Sequence, residues 1–123
     1  VTSPVLKKSE IIKSLKFIQS KKLNSLMHVT KVLESPYEII GKKKNKWNYL
    51  LGKRIVNRQN YLKKYLFITG SMFFFTRNFF KKRKKIVTEK TFPYEIDRIN
   101  FIDIDDKFTF ELAKKVENLK TRN

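Results

Sequence analysis

The sequence contains no cysteine, which excludes a disulfide framework, a thiolate metal centre and a cysteine nucleophile together. It contains one histidine, His28, so no two-histidine metal motif can be written and imidazole acid–base chemistry has no second partner. Its glycines, Gly41, Gly52 and Gly70, stand too far apart for a phosphate-binding loop or a dinucleotide fingerprint. Acids are scarce: 11 Asp+Glu face 29 Lys+Arg, a formal net charge of +18. No catalytic residue, cofactor or metal is expected, and the partner implied is anionic.

What remains is a folding sequence of 123 residues, 41% apolar and 14% aromatic, which is unlike a disordered polybasic tail. The length allows a single small domain over 1–123, read as a helical N-terminal extension over 1–45 and a core over 46–123. Residues favoured by AT-rich codons dominate, and lysine outnumbers arginine 23 to 6. An AT-rich genome, nuclear or organellar, follows, and part of the lysine excess is mutational. A first residue other than Met is compatible with removal of an import presequence or of Met alone.

The charge is uneven. Residues 1–92 carry 23 basic and four acidic side chains, and residues 93–123 carry six and seven. Three groups form the candidate anion-binding surface. They are Lys42, Lys43, Lys44 and Lys46; then Lys53, Arg54, Arg58, Lys63 and Lys64; then Lys81, Lys82, Arg83, Lys84 and Lys85, preceded by Arg77. One such group is an ordinary solvated face, but three without compensating acids repel one another and destabilise the compact state.

Ser3-Pro4 reads as a helix start, and Ile11, Leu15, Ile18, Leu23, Leu26, Met27 and Leu33 predict a helix over 4–34, broken near Ser20. His28 lies on it as a partly packed surface residue, and Ser35-Pro36 ends it. Trp47, Leu50, Leu51, Ile55 and Leu62 predict an amphipathic helix over 46–64, with Trp47 a core anchor rather than a stacking platform. Residues 65–80 are too short for a membrane span, since the run from Tyr65 to Phe75 is 11 residues against about 20 required. They read better as a hairpin turning at Gly70-Ser71, and the basic run at 81–85 follows as a loop.

Short strands are expected at 85–88 and 94–96, with Pro93 confining the second to an edge. Alternation predicts further strands over 99–105 and 108–110, a turn at Asp105-Asp106 and a short helix over 111–120. The fold class is therefore α+β, N-terminal helices followed by a small antiparallel β-sheet with basic loops. Asp103, Asp105 and Asp106 lack the glycine and distal glutamate of a calcium loop.

Tyr61-Leu62-Lys63-Lys64-Tyr65-Leu66-Phe67-Ile68-Thr69-Gly70-Ser71-Met72-Phe73-Phe74-Phe75 resembles the second and third strands of a pleckstrin-homology domain, and Lys107 to Leu112 resembles a later strand. The likeness covers under half of the chain. It implies that the basic pair Lys63-Lys64 faces lipid headgroup phosphates.

Three functions fit these observations. The first is a structural RNA-binding protein of a ribosome, mitochondrial or from another organelle, with rRNA and neighbouring ribosomal proteins as partners. The second is a small accessory subunit of a mitochondrial membrane complex, anchored by 65–80. The third is a peripheral module on an anionic membrane surface.

Overall fold

The computed structural model describes residues 3–52 and 65–121. The protein is α+β, and the chain divides into two compact units, one of residues 1–30 with 68–123 and one of residues 31–67.

The first unit begins with α1 (Lys8–Ser20) and β1 (Ser25–Lys31). The helix ends in a Schellman motif: Leu23 N–H bonds the Ile18 carbonyl at 2.9 Å and Lys22 N–H bonds the Gln19 carbonyl at 3.1 Å. Lys22 takes the left-handed conformation, φ 50°, that glycine usually supplies there. The expected helix over 4–34 is thus corrected twice. It starts at Lys8, capped at Lys7 and not at Ser3, and after the Schellman turn the chain is a strand. Residues 1–45 are therefore not a helical extension.

β1 is the middle strand of a three-stranded mixed sheet of order β4-β1-β5, with β4 at Leu66–Phe75 and β5 at Phe92–Glu95. β1 and β5 run parallel, Leu26 opposite Phe92 and Met27 opposite Pro93. Pro93 sits on an edge strand as expected, because proline has no N–H for a second neighbour. The sheet is not purely antiparallel, as the sequence reading had it. Phe17 of α1 packs on Phe92 and Tyr94, with ring centroids 5.3 and 5.0 Å apart, so α1 packs against β5.

β4 corrects the expected 65–76 hairpin. Its ten residues form one strand, and Gly70 at φ 68° takes a left-handed conformation inside the strand without reversing the chain. The basic run that follows is helical: α2 (Arg77–Arg83) is capped by the Thr76 hydroxyl, which accepts from Phe79 N–H, and closes at Lys84 with φ 54°. Residues 85–88 form no strand.

Residues 99–105 form no strand, since Arg98–Asn100 is a 3-10 turn and 101–105 are irregular, and residues 108–110 belong to α3 (Lys107–Thr121). The reason is a cap. Thr109 N–H bonds Asp106 Oδ1 at 2.7 Å, and Thr109 Oγ1 accepts from the Asp106 N–H at 3.0 Å. This reciprocal pair starts a helix where a turn was expected, and the hydrogen bonds from Thr109 hold the Asp106 carboxyl below its ordinary pKa. Ala113 of α3 closes a small core with Val5 and Ile102, against Ile104 and Val116. A second buried set, Leu26, Val29, Phe79 and Ile96, lies along the sheet.

The second unit contains a 3-10 turn at Pro36–Glu38 and an antiparallel ribbon of β2 (Ile40–Lys43) and β3 (Lys46–Tyr49). Lys44 and Asn45 both have positive φ, 48° and 61°, the requirement of a type I′ hairpin turn. The expected helix over 46–64 is therefore a strand at its start, and its stretch over 53–64 lies outside the described residues. Trp47 is 64% exposed, so it is not a core anchor.

Candidate nucleic-acid interface

Two basic surfaces emerge, one on each unit. On the ribbon, Ile40 faces Tyr49 and Lys42 faces Trp47, while on the other side Lys43 faces Lys46 directly across the strands. Side chains alternate between the two faces. One face therefore carries two aromatic rings and a lysine, and the other carries like charges. Lys42 Nζ stands 6.0 Å from the Trp47 ring centre, within range of a cation–π contact. Lys42, Lys43, Lys44 and Lys46 are all exposed.

The first unit carries a cleft of about 400 Å³ at the end of the sheet where β1 begins. The turn after α1 supplies Lys22 and Asn24, and α2 supplies Asn78, Lys82 and Arg83. Asn78 and Lys82, and likewise Phe79 and Arg83, are four apart, so each pair lies along one line of the helix. Lys90 closes the cleft from a turn that is pinned in place. Thr91 Oγ1 accepts from Thr88 N–H at 3.0 Å and from the buried Ser25 hydroxyl at 3.2 Å. Leu23 and Phe79 give the cleft an apolar floor.

No acid among the described residues lines this cleft. Among the described residues Lys22, Lys82, Arg83 and Lys90 make no ion pair, and the side chains of Asn24 and Asn78 make no hydrogen bond. These side chains line one space and have no partner among the described residues.

Of the fifteen basic residues singled out in the sequence, Lys82 and Arg83 line the cleft and the four of 42–46 share the ribbon. Arg77, Lys81, Lys84 and Lys85 lie on or beside α2 without lining the cleft. Lys53, Arg54, Arg58, Lys63 and Lys64 fall outside the described residues. The sequence reading missed Lys22, Lys90 and both asparagines, which belong to no basic run. The available signal was Leu23-Asn24 after Lys21-Lys22, a helix end with an asparagine beside it.

His28 is also corrected: it is fully buried in the central strand. The Ser14 hydroxyl lies 2.8 Å from the Glu10 carbonyl, and Ser14 Oγ shares a buried hydrogen bond of 2.7 Å with His28 Nε2. Nδ1 faces Ser71 Oγ at 3.4 Å, and the Thr69 hydroxyl donates to the His28 carbonyl at 3.1 Å. The Ser14 and His28 side chains are both closed to solvent. The cluster ties α1 to β1 and β4. Burial holds the His28 pKa below its ordinary value, opposed by the Glu10 carboxylate. Among the described residues no group of three His, Asp or Glu side chains could hold a metal ion.

The membrane anchor expected from 65–80 is the strand β4 followed by the short helix α2, and among the described residues no helix is long and apolar enough to cross a membrane. The pleckstrin-homology likeness fails at its centre, since 66–75 is one strand and 107–112 is helical. No protein-family model matches the chain, and no curated protein matches it.

Proposed function

We propose that this chain is a structural RNA-binding protein of a ribosome, of mitochondrial or other organellar type, that holds rRNA phosphates and performs no catalysis. The observation that carries the reading is the cleft, which no acid among the described residues lines and in which four cations have no ion-pair partner among those residues. The ribbon adds like charges face to face at Lys43 and Lys46, an unfavourable pairing that an intervening phosphate relieves. Its aromatic face suits unstacked bases, which single-stranded RNA offers and a lipid headgroup does not. Neighbouring ribosomal proteins account for apolar side chains left on the surface, such as Phe108 at 74% exposure.

The test is sedimentation of the endogenous protein through a detergent-containing gradient. Co-migration with ribosomal particles, lost at high salt, is the expected outcome. Migration with membrane complexes, or preference of the purified chain for anionic vesicles over structured RNA, contradicts the reading.

A further inference from the structure

The cleft is more specific than phosphate neutralisation requires. A surface that only tracks a phosphate backbone needs cations, and the ribbon supplies them without a recess. Here the recess has an apolar floor, Leu23 and Phe79, and two asparagine side chains at its wall whose donors and acceptors have no partner among the described residues. Its volume of about 400 Å³ falls within the range of small-ligand sites, which begins near 300 Å³. Lys22, Lys82, Arg83 and Lys90 surround it.

We propose that this cleft receives one unpaired nucleotide of single-stranded RNA, turned out of its helix. The base lies on the Leu23–Phe79 floor, and Asn24 and Asn78 hydrogen-bond its polar edge. Each amide offers a carbonyl acceptor and an N–H₂ donor, the two kinds of group that base edges carry. The four cations hold the phosphates on either side of the extruded nucleotide. The walls are set before binding: the Schellman turn fixes Lys22 and Asn24, and the Ser25–Thr91 hydrogen bond fixes the turn bearing Lys90. A preformed site of this kind spends little entropy on closing around its ligand.

The inference rests on the RNA-binding reading, and the two can fail separately. The probes are a blunt RNA stem-loop, the same stem-loop with a single-nucleotide bulge, and a free nucleoside monophosphate, each titrated against the full chain. The wild type is expected to prefer the bulged RNA by about tenfold, the scale of one base contact. The double variant Asn24→Ala/Asn78→Ala, at two exposed positions, is expected to lose that preference and keep its affinity for the blunt stem. A 4-thiouridine at the bulge is expected to crosslink within residues 22–25 or 78–83.

Equal binding of both RNAs by the wild type, or equal weakening of both by the double variant, overturns the nucleotide site and leaves general RNA binding standing. Free nucleoside monophosphate binding as tightly as bulged RNA overturns the RNA source. Binding of neither RNA overturns the ribosomal reading and this site with it.

Discussion

Ser14 Oγ and His28 Nε2 share a buried hydrogen bond of 2.7 Å, beside a contact of 2.8 Å from Ser14 to the Glu10 carbonyl. Ser14→Ala therefore leaves a buried imidazole nitrogen without its partner and is expected to lower stability by about 1–3 kcal/mol, read as a lower denaturation midpoint with an unchanged slope. The same site sets an acid limit. His28 is neutral in the fold and its pKa is lowered by burial, while Glu10 on α1 and the Tyr94 ring 6.0 Å away on β5 are the ionisable neighbours facing it. Below the unfolded value, about 6.5, the unfolded chain binds a proton that the folded chain resists. Stability is thus complete above that pH and declines as pH falls toward the lowered folded value. Melting temperatures that stay constant between about pH 7.5 and pH 5.5 contradict this. At Lys22 stability and binding are opposed. A lysine at φ 50° carries a left-handed strain of roughly 1–2 kcal/mol, part of which glycine's entropy offsets. Lys22→Gly is expected to raise the melting temperature and weaken RNA binding together; a variant that gains stability and keeps full affinity removes Lys22 from the interface.

The ribbon places the same opposition in one element. Lys43 and Lys46 face each other beside a Lys44–Asn45 turn that forces both central residues to positive φ. Lys43→Glu replaces repulsion with an opposite-charge pair worth about 0.2–1 kcal/mol. The variant is expected to be at least as stable as the wild type and to bind RNA with a salt slope shallower by about one phosphate contact. An unchanged slope removes the ribbon from the interface. This hairpin shows why parts of the chain were illegible in the sequence. Its turn lacks the Asn-Gly signature, and its exposed Trp47 falls at helical spacing with Leu50 and Leu51. β1 misled for a different reason. As the middle strand it is buried at Leu26, His28, Val29 and Thr30 alike, so no alternation survives, and Leu23, Leu26 and Met27 fall at helical spacing. Phe108 and Phe110 alternate like a strand, yet the Asp106–Thr109 cap sets the helix. Legible signals were local: the α1 periodicity, the edge proline, the C-terminal helix and the basic runs at 42–46 and 81–85. The cleft was not, because Lys22, Asn24, Asn78 and Lys90 come together only through the sheet order and the α2 cap.

At the scale of the whole molecule, a formal charge of +18 acts on the folded chain and on its partner in opposite senses as salt changes. Without RNA the like charges repel, and the repulsion is greater in the compact state than in the expanded one. Added salt screens it, so the free protein is expected to melt higher as ionic strength rises. With RNA present the phosphates supply the missing counter-charge, and binding to the folded state alone adds about 2.7 kcal/mol when RNA is at 100 times its Kd. That affinity falls steeply with salt, because each phosphate contact releases condensed counterions that must be reabsorbed on dissociation. The stabilisation by RNA therefore shrinks as salt increases while the free protein's own stability grows. Thermal melts across a salt series should give two curves, far apart at low salt, rising without RNA and falling with it, that converge at high salt. A further gain from RNA that persists undiminished at high salt would mean that the contact is carried by apolar stacking on Trp47 and Tyr49 and that the lysines only steer the encounter. Repeating the series with Trp47→Ala separates the two, since loss of a stacking platform lowers the RNA curve at every salt concentration by a similar amount and leaves its slope intact.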